Sequence, residues 1–128
     1  MNNCFKNILY FDHIDSSNDY LINLYKKKNF LDVLTIYVDK QNKGRGRLGR
    51  SWFSTIDSLT FSFSFLLESR YKHFDFTMLL SVAICNLLKN MNISAVVKYP
   101  NDIIVNNKKI AGILTELIVV KKRRYAVI

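Results

Sequence analysis

Hydrophobic positions along this chain change their spacing several times, and each change predicts an element. Residues 8–14 are apolar enough for a first strand. Ser16-Ser17-Asn18-Asp19 then supplies helix-starting residues, and Tyr20, Leu21, Leu24 and Tyr25 recur at the spacing of one helix face. Residues 34–38 are β-branched and aromatic, as a buried strand requires. Residues 41–52 have no apolar period and read as a loop. Residues 58–67 alternate polar and apolar, which predicts a half-buried strand with Leu59, Phe61, Phe63 and Phe65 on one face. Residues 74–88 are apolar on nearly every side, the pattern of a helix buried from several directions. Beyond it the pattern is one of short strands and tight turns. Residues 95–99 form a strand ending at Pro100, residues 103–105 and 109–120 flank the turn pair Asn106-Asn107, and residues 121–124 turn into a last strand at 125–128. Helices separated by strands and then hairpins predict an α+β fold, with a mixed, mainly antiparallel sheet flanked by helices.

Composition narrows the class. A chain of 128 residues is one ordinary domain, and 49% hydrophobic residues are enough for a packed core, which excludes global disorder. No apolar stretch is long enough to span a membrane and no signal peptide is visible, so the expected location is the cytoplasm. Cys4 and Cys85 have neither metal nor redox spacing and read as free thiols in a reducing compartment. His13 and His73 lack ligand-like neighbours, so no protein metal site is expected. The formal net charge of +9 is spread over Lys26-Lys27-Lys28, an arginine loop, Lys108-Lys109 and Lys121-Lys122-Arg123-Arg124, with no continuous basic helix. The chain is also rich in Asn, Ile and Lys, a bias that an AT-rich genome can produce without selection for charge. A nucleic-acid partner is therefore disfavoured, whereas an acidic partner or a nucleotide is compatible with the charge.

Backbone punctuation is scarce and concentrated. Three of the four glycines lie in Gly44-Arg45-Gly46-Arg47-Leu48-Gly49-Arg50, with Trp52 following. The only proline lies in Lys98-Tyr99-Pro100-Asn101-Asp102, and the last glycine in Lys109-Ile110-Ala111-Gly112-Ile113-Leu114. Arginine forks bind phosphate or carboxylate oxygens bidentately, and glycines let backbone N–H groups approach as further donors. The loop therefore points to an anionic ligand, most simply a phosphate. Repulsion among its arginines predicts that it is loose when empty, anchored by Leu48 alone, and ordered over a bound anion. It lacks the Gly-Lys-Ser/Thr ending of a P-loop. An AT-hook would place proline where Leu48 stands. Lys98, before a proline-fixed turn, either aims a cation into a cleft or packs its stem and sends its head to solvent. Taken singly, Ser16 or Ser17 is a helix N-cap, Asn101 and Asp102 are turn residues and Gln41 is a surface glutamine.

Taken in order, Ser16-Ser17-Asn18, Gln41, the arginine loop with Trp52, Lys98-Tyr99-Pro100-Asn101-Asp102, and Lys109-Ile110-Ala111-Gly112-Ile113-Leu114 with Glu116 resemble the catalytic domain of biotin protein ligases. The resemblance runs from about Ile8 to the C-terminus. Lipoate ligases share the fold but carry a different glycine-rich signature. The resemblance implies a fold like that of class II aminoacyl-tRNA synthetases and biotin synthetase. It also implies ATP-dependent biotinylation of a lysine on biotin carboxyl carrier protein through biotinyl-5′-adenylate. Biotin and ATP are then substrates, with Mg2+ expected alongside ATP.

Carried over by position, Ser16, Ser17 and Asn18 would line the biotin pocket, and Gln41 would bond the biotin head or its neighbourhood. Arg45, Gly46 and Arg47 would close over the carboxylate and the adenylate phosphate. Lys98 would meet both anions, so Lys98 and Arg47 are the candidate catalytic residues. Gly44, Arg45, Arg47, Arg50, Trp52, Asn101 and Asp102 are the candidate ATP or adenylate contacts, with Trp52 either closing over the adenylate or packing the loop base. The resemblance leaves room for a homodimer.

The family commonly has Trp where Tyr99 stands and Ser-Thr-Asn where Ser16-Ser17-Asn18 stands, both conservative changes. The chain starts almost at the catalytic domain, without the helix-turn-helix of the repressor-type ligases, so no operator DNA is expected. In the family, the strand at 125–128 runs into a Gly-x-Gly-x-Asn segment, further helices and usually an SH3-like domain. The apolar ending Tyr125-Ala126-Val127-Ile128 therefore reads as a truncation, the alternative being a final edge strand. Two other functions stand beside the ligase: an inactive remnant that still binds biotin or its adenylate, and a basic nucleic-acid-binding module. The second leaves the Lys-Tyr-Pro-Asn-Asp element unexplained.

Overall fold

The computed structural model describes residues 7–28, 34–68 and 73–128; Cys4 and the side chain of His73 lie outside the described residues. In chain order the elements are β1 (Ile8–Ile14), α1 (Ser17–Lys28), β2 (Thr35–Gln41), β3 (Thr60–Leu66), α2 (His73–Asn90), β4 (Val96–Lys98), β5 (Asp102–Val105), β6 (Lys108–Gly112), β7 (Glu116–Val120) and β8 (Arg123–Val127). Contacts divide the chain into two compact units. Met1–Ser69 with Glu116–Ile128 form the first, and Arg70–Thr115 the second.

The first unit is a five-stranded sheet in the order β1-β2-β3-β8-β7. β1 and β2 are parallel, which requires a crossover, and α1 supplies it. The remaining neighbours pair antiparallel. α1 buries Leu21 and Tyr25 in a cluster with Leu34, Ile36, Ile118, Val120, Tyr125 and Val127. The Tyr25 and Tyr125 rings lie 4.7 Å apart, in tilted contact. Each fully buried aliphatic side chain in such a cluster contributes about 1.5–3 kcal/mol. β8 lies between β3 and β7, so the last strand is internal to the sheet rather than an edge.

The alternation along β3 is real, but its buried face is the opposite of the expected one. Ser62 and Ser64 are buried, while Phe61 is exposed and Phe63 and Phe65 are half-buried. Hydrogen bonds explain the reversal. Ser64 Oγ lies 2.8 Å from the Tyr25 hydroxyl and Ser62 Oγ 2.6 Å from Ser17 Oγ, so the serines enter the interior already paired. β2 also runs on to Gln41, which places that residue at a strand end.

The second unit holds α2 and the antiparallel sheet β4-β5-β6. α2 packs on β4 and β5 and is not buried from several directions, since Leu79, Val82 and Leu87 are exposed. Among the described residues its buried positions are hydroxyls: Ser81 Oγ donates to the Thr77 carbonyl at 2.8 Å, and Thr77 Oγ1 to Thr115 Oγ1 at 2.7 Å. Asn92, at φ 61°, ends the helix in the left-handed region. The apolar run expected at 109–120 is two strands. β6 closes the hairpin with β5 in the second unit, and β7 pairs with β8 in the first.

The β5–β6 and β7–β8 hairpin turns place their central residues at positive φ. Asn106 and Asn107 (49° and 62°) suit that conformation; Lys121 and Lys122 (48° and 62°) do not. Replacing Lys121-Lys122 by Asn-Gly is expected to raise stability by about 1–2 kcal/mol. Thermal melting checks this, and an unchanged midpoint would show that the turn carries no strain.

Candidate functional site

Ser16 precedes the first turn of α1, and its Oγ accepts the Asp19 N–H at 3.3 Å. With Ser16 as the cap, Ser17 and Asn18 open the helix, and both are buried. Gln41 Oε1 accepts from the Ser17 N–H (2.8 Å) and the Ser17 hydroxyl (3.0 Å), so the end of β2 is tied to the start of α1. Ser62 Oγ lies 2.6 Å from Ser17 Oγ and donates to Asn18 Oδ1 at 2.5 Å. Each hydroxyl has one proton, so these two serines cannot make all three of their contacts as donors at once. Asn18 Nδ2 donates to Glu116 Oε2 at 3.0 Å, carrying the chain of bonds to β7.

The arginine loop is a closed structure. The Trp52 N–H donates to the Gly44 carbonyl (2.8 Å) and the Gly46 N–H to the Arg50 carbonyl (2.6 Å), and Arg45 bridges Ser51. Between them, Arg47–Gly49 form a single 3-10 turn. A Cβ at Gly44 would stand 2.4 Å from the Trp52 carbonyl oxygen, and Gly49 has φ 72°, so the fold requires glycine at both. Gly46 differs: its φ is negative and an added Cβ would meet nothing closer than 3.5 Å.

Leu48 was expected to anchor this loop and does not. Its side chain is 89% exposed, at a turn residue with φ 56°. The anchor is ionic. Arg45 Nε and Nη2 donate to the two Asp19 oxygens (2.9 and 2.5 Å), and Nη2 also reaches both Glu116 oxygens (3.1 and 3.0 Å). These bonds raise the Arg45 pKa, Asp19 most strongly, against the opposing effect of burial. Lys43 pairs with Asp15 at 2.8 Å. A cavity of about 580 Å³ opens beside the loop among Asp15, Asp19, Asn23, Lys43, Arg45 and Arg50. A smaller one, of about 290 Å³, is lined by Gln41, Gly44, Trp52 and Ser54 among others.

In the second unit, Lys98, Asp102 and Gly112 are cross-strand partners in β4, β5 and β6. Lys98 is exposed. Lys109 Nζ binds Asp102 Oδ1 at 2.7 Å, which leaves the aspartate already neutralised. Asn101 Nδ2 donates to the Ile113 carbonyl (3.0 Å) and the Asn101 carbonyl accepts the Ile113 N–H (3.0 Å), so Asn101 pins the chain leaving β6. Among the described residues no cluster of His, Cys, Asp and Glu could hold a metal ion, and no helix is long and apolar enough to cross a membrane.

Of the residues singled out in the sequence, Ser17, Asn18, Gln41 and Arg45 join one hydrogen-bonded network, with Ser16 capping the helix they border. Lys98, Asn101 and Asp102 belong to the second unit. Ser62 escaped the sequence reading, Asp19 was read as a helix-start residue and not as the partner of Arg45, and Lys109 was not recognised as the partner of Asp102. Ser62 had one legible signal: it is one of the serines that alternate with aromatic residues along a strand.

The model of the Biotin/lipoate A/B protein ligase family matches residues 10–128. The bifunctional ligase/repressor BirA of Escherichia coli is 31% identical over 107 residues, covering 81% of this chain and 33% of its own length. The chain thus spans about a third of that relative. A biotin acetyl coenzyme A carboxylase synthetase from Helicobacter pylori, solved with bound biotinylated ATP, superposes with a TM-score of 0.78 at 25% identity, covering 94% of this chain and 58% of the other. The biotin protein ligase of Aquifex aeolicus, in complex with biotin and ATP, gives 0.72 at 30% identity, covering 96% and 51%.

Proposed function

The chain belongs to the Biotin/lipoate A/B protein ligase family, and from that premise we propose that it activates biotin with ATP and passes it to a lysine of biotin carboxyl carrier protein. The observation that carries this reading is the network from Gln41 through Ser17, Ser62 and Asn18 to Glu116 and Arg45. Buried hydroxyls and amides are costly to group unless each is bonded, and such a group suits a small polar ligand head. The Helicobacter and Aquifex neighbours were solved with biotinylated ATP and with biotin and ATP, which supports biotin as that ligand.

In this reading Ser16, Ser17 and Asn18 line the biotin pocket and Gln41 bonds the head. In the first step a biotin carboxylate oxygen attacks the α-phosphorus of ATP, the bond to the β-phosphate oxygen breaks, and pyrophosphate leaves. In the second, a carrier lysine amine attacks the adenylate carbonyl, AMP leaves, and the nitrogen loses its proton. Two anions must meet in the first step, and fixed cations lower their repulsion. Arg47 and Lys98 supply that charge. Gly44, Gly46, Arg50 and Trp52 shape the lid that shields the mixed anhydride from water. Asn101 and Asp102 orient the nucleotide through the β4–β5 turn. Magnesium does not fit a protein-only site here, because Asp102 is held by Lys109 and no carboxylate cluster stands among the described residues. It belongs with the triphosphate.

Gly46→Ala separates ligand from fold. Nothing in the folded loop requires glycine at this position. The variant is expected to melt like the parent yet to bind the adenylate about tenfold more weakly, because the backbone can no longer approach the ligand closely. Equal affinity would remove Gly46 from the site. Calorimetric titration of the chain with biotin and ATP tests the function itself: one saturable site is expected, and absence of heat from a cooperatively melting chain would sink the reading.

A further inference from the structure

We infer that Asp19, Arg45 and Glu116 form an ionic latch, in which Arg45 is a positioning residue for the loop and Glu116 couples the loop to the pocket floor. The inference deepens the ligase reading and rests on it. All three residues lie in the first unit and come from three different elements: the first turn of α1, the loop, and the start of β7.

Arg45 meets Asp19 with two parallel bonds and turns Nη2 to Glu116 as well. The side chains are 35% (Arg45), 42% (Asp19) and 27% (Glu116) exposed. An isolated pair that exposed would be weak, but bidentate geometry within a network is the case in which partly exposed charges do hold a structure. The charge count also decides a role. One guanidinium between two carboxylates leaves a formal excess of one negative charge, so the cluster as a whole offers a phosphate no net positive charge. The Arg50 side chain of the same loop is exposed.

Glu116 touches both halves of the site. Its Oε2 accepts from Arg45 Nη2 at 3.0 Å and from Asn18 Nδ2 at 3.0 Å. A ligand that draws the Asn18 amide toward itself takes a donor from Glu116 and leaves the carboxylate to Arg45. Occupancy of the pocket floor is thereby transmitted to the base of the loop.

Amide hydrogen exchange of residues 44–52 tests the latch in the 128-residue chain and in Glu116→Gln, Arg45→Lys and Asp19→Asn, each without ligand and with saturating biotin. Gln keeps the shape of Glu116 without its charge, and Lys keeps the charge of Arg45 without its fork. Loop exchange is expected to be about tenfold faster in all three variants, with global melting unchanged. In Glu116→Gln the further slowing that biotin causes in the parent is expected to vanish, and biotin Kd to rise about tenfold. Parent-like loop exchange in the folded variants would overturn the latch, as would intact biotin-dependent slowing in Glu116→Gln. If one variant fails to fold, the other two decide by the ligand-free measurement. If the parent chain binds no biotin, the ligase reading falls, while ligand-free exchange still decides whether the latch holds the loop.

Discussion

Lys98→Ala is expected to slow biotin-dependent adenylation by about a hundredfold or more, with little change in melting temperature. The magnitude is that of removing one fixed charge from a site where anionic charge builds up in the transition state. The stability half follows from the structure, because Lys98 is exposed at the end of β4 and its removal leaves no cavity. Lys109 gives the comparison. It is already held by Asp102 at 2.7 Å, so it is the better preorganised cation of this sheet. Lys109→Ala strips Asp102 of that ion pair as well as removing a charge. Single-turnover formation of the adenylate, measured for both variants, distinguishes the two lysines. A normal rate in Lys98→Ala with a collapsed rate in Lys109→Ala would transfer the electrostatic role to Lys109.

Gly44→Ala is expected to destabilise the first unit by about 3 kcal/mol, the upper end for forced overpacking, and to abolish biotin binding. The new Cβ would lie 2.4 Å from the Trp52 carbonyl oxygen and 3.0 Å from Gln41 Nε2. The first neighbour is backbone and cannot rotate away. Relief must come from opening the Trp52 N–H to Gly44 carbonyl bond that closes the loop, or from moving the Gln41 amide that holds Ser17. Either movement reaches the Gln41–Ser17 bonds of the network proposed to hold biotin. Denaturant melts and biotin titration measure the two effects, and a parent-like result in both would mean that the loop base is not as tightly closed as its hydrogen bonds indicate.

The α+β class, the mixed sheet and most element positions were legible because the period of apolar residues changes sharply along the chain. The parallel β1–β2 pair follows from a helix lying between two strands. Side-chain faces were less legible. In β3 the apolar pattern marked the wrong side and in α2 it promised burial on more sides than the helix has, because hydroxyls that find partners across the structure can be buried while apolar side chains stay partly exposed. Ser62 binds residues far away in the sequence, and no local pattern reveals that. The split of residues 109–120 between two sheets was invisible for the same reason: a continuous apolar run carries no mark of which sheet each part joins.

The site was legible through motif order more than through chemistry. Charge alone predicted a loose loop with repelling arginines. The structure compensates Arg45 with Asp19 and Glu116, carboxylates 26 and 71 residues away in the chain. The three loop glycines looked equivalent in sequence. Geometry separates them into one forced by close approach, one by positive φ, and Gly46, which the fold does not require.

In the proposed reaction this chain joins the biotin carboxylate to the α-phosphate of ATP. Exchange of labelled pyrophosphate into ATP by the purified chain reads that step without a carrier protein. Exchange that appears only when biotin is present, and that Lys98→Ala suppresses, is the predicted result. No exchange from a chain that calorimetry shows to bind both biotin and ATP would contradict the claim and leave a protein that binds without activating.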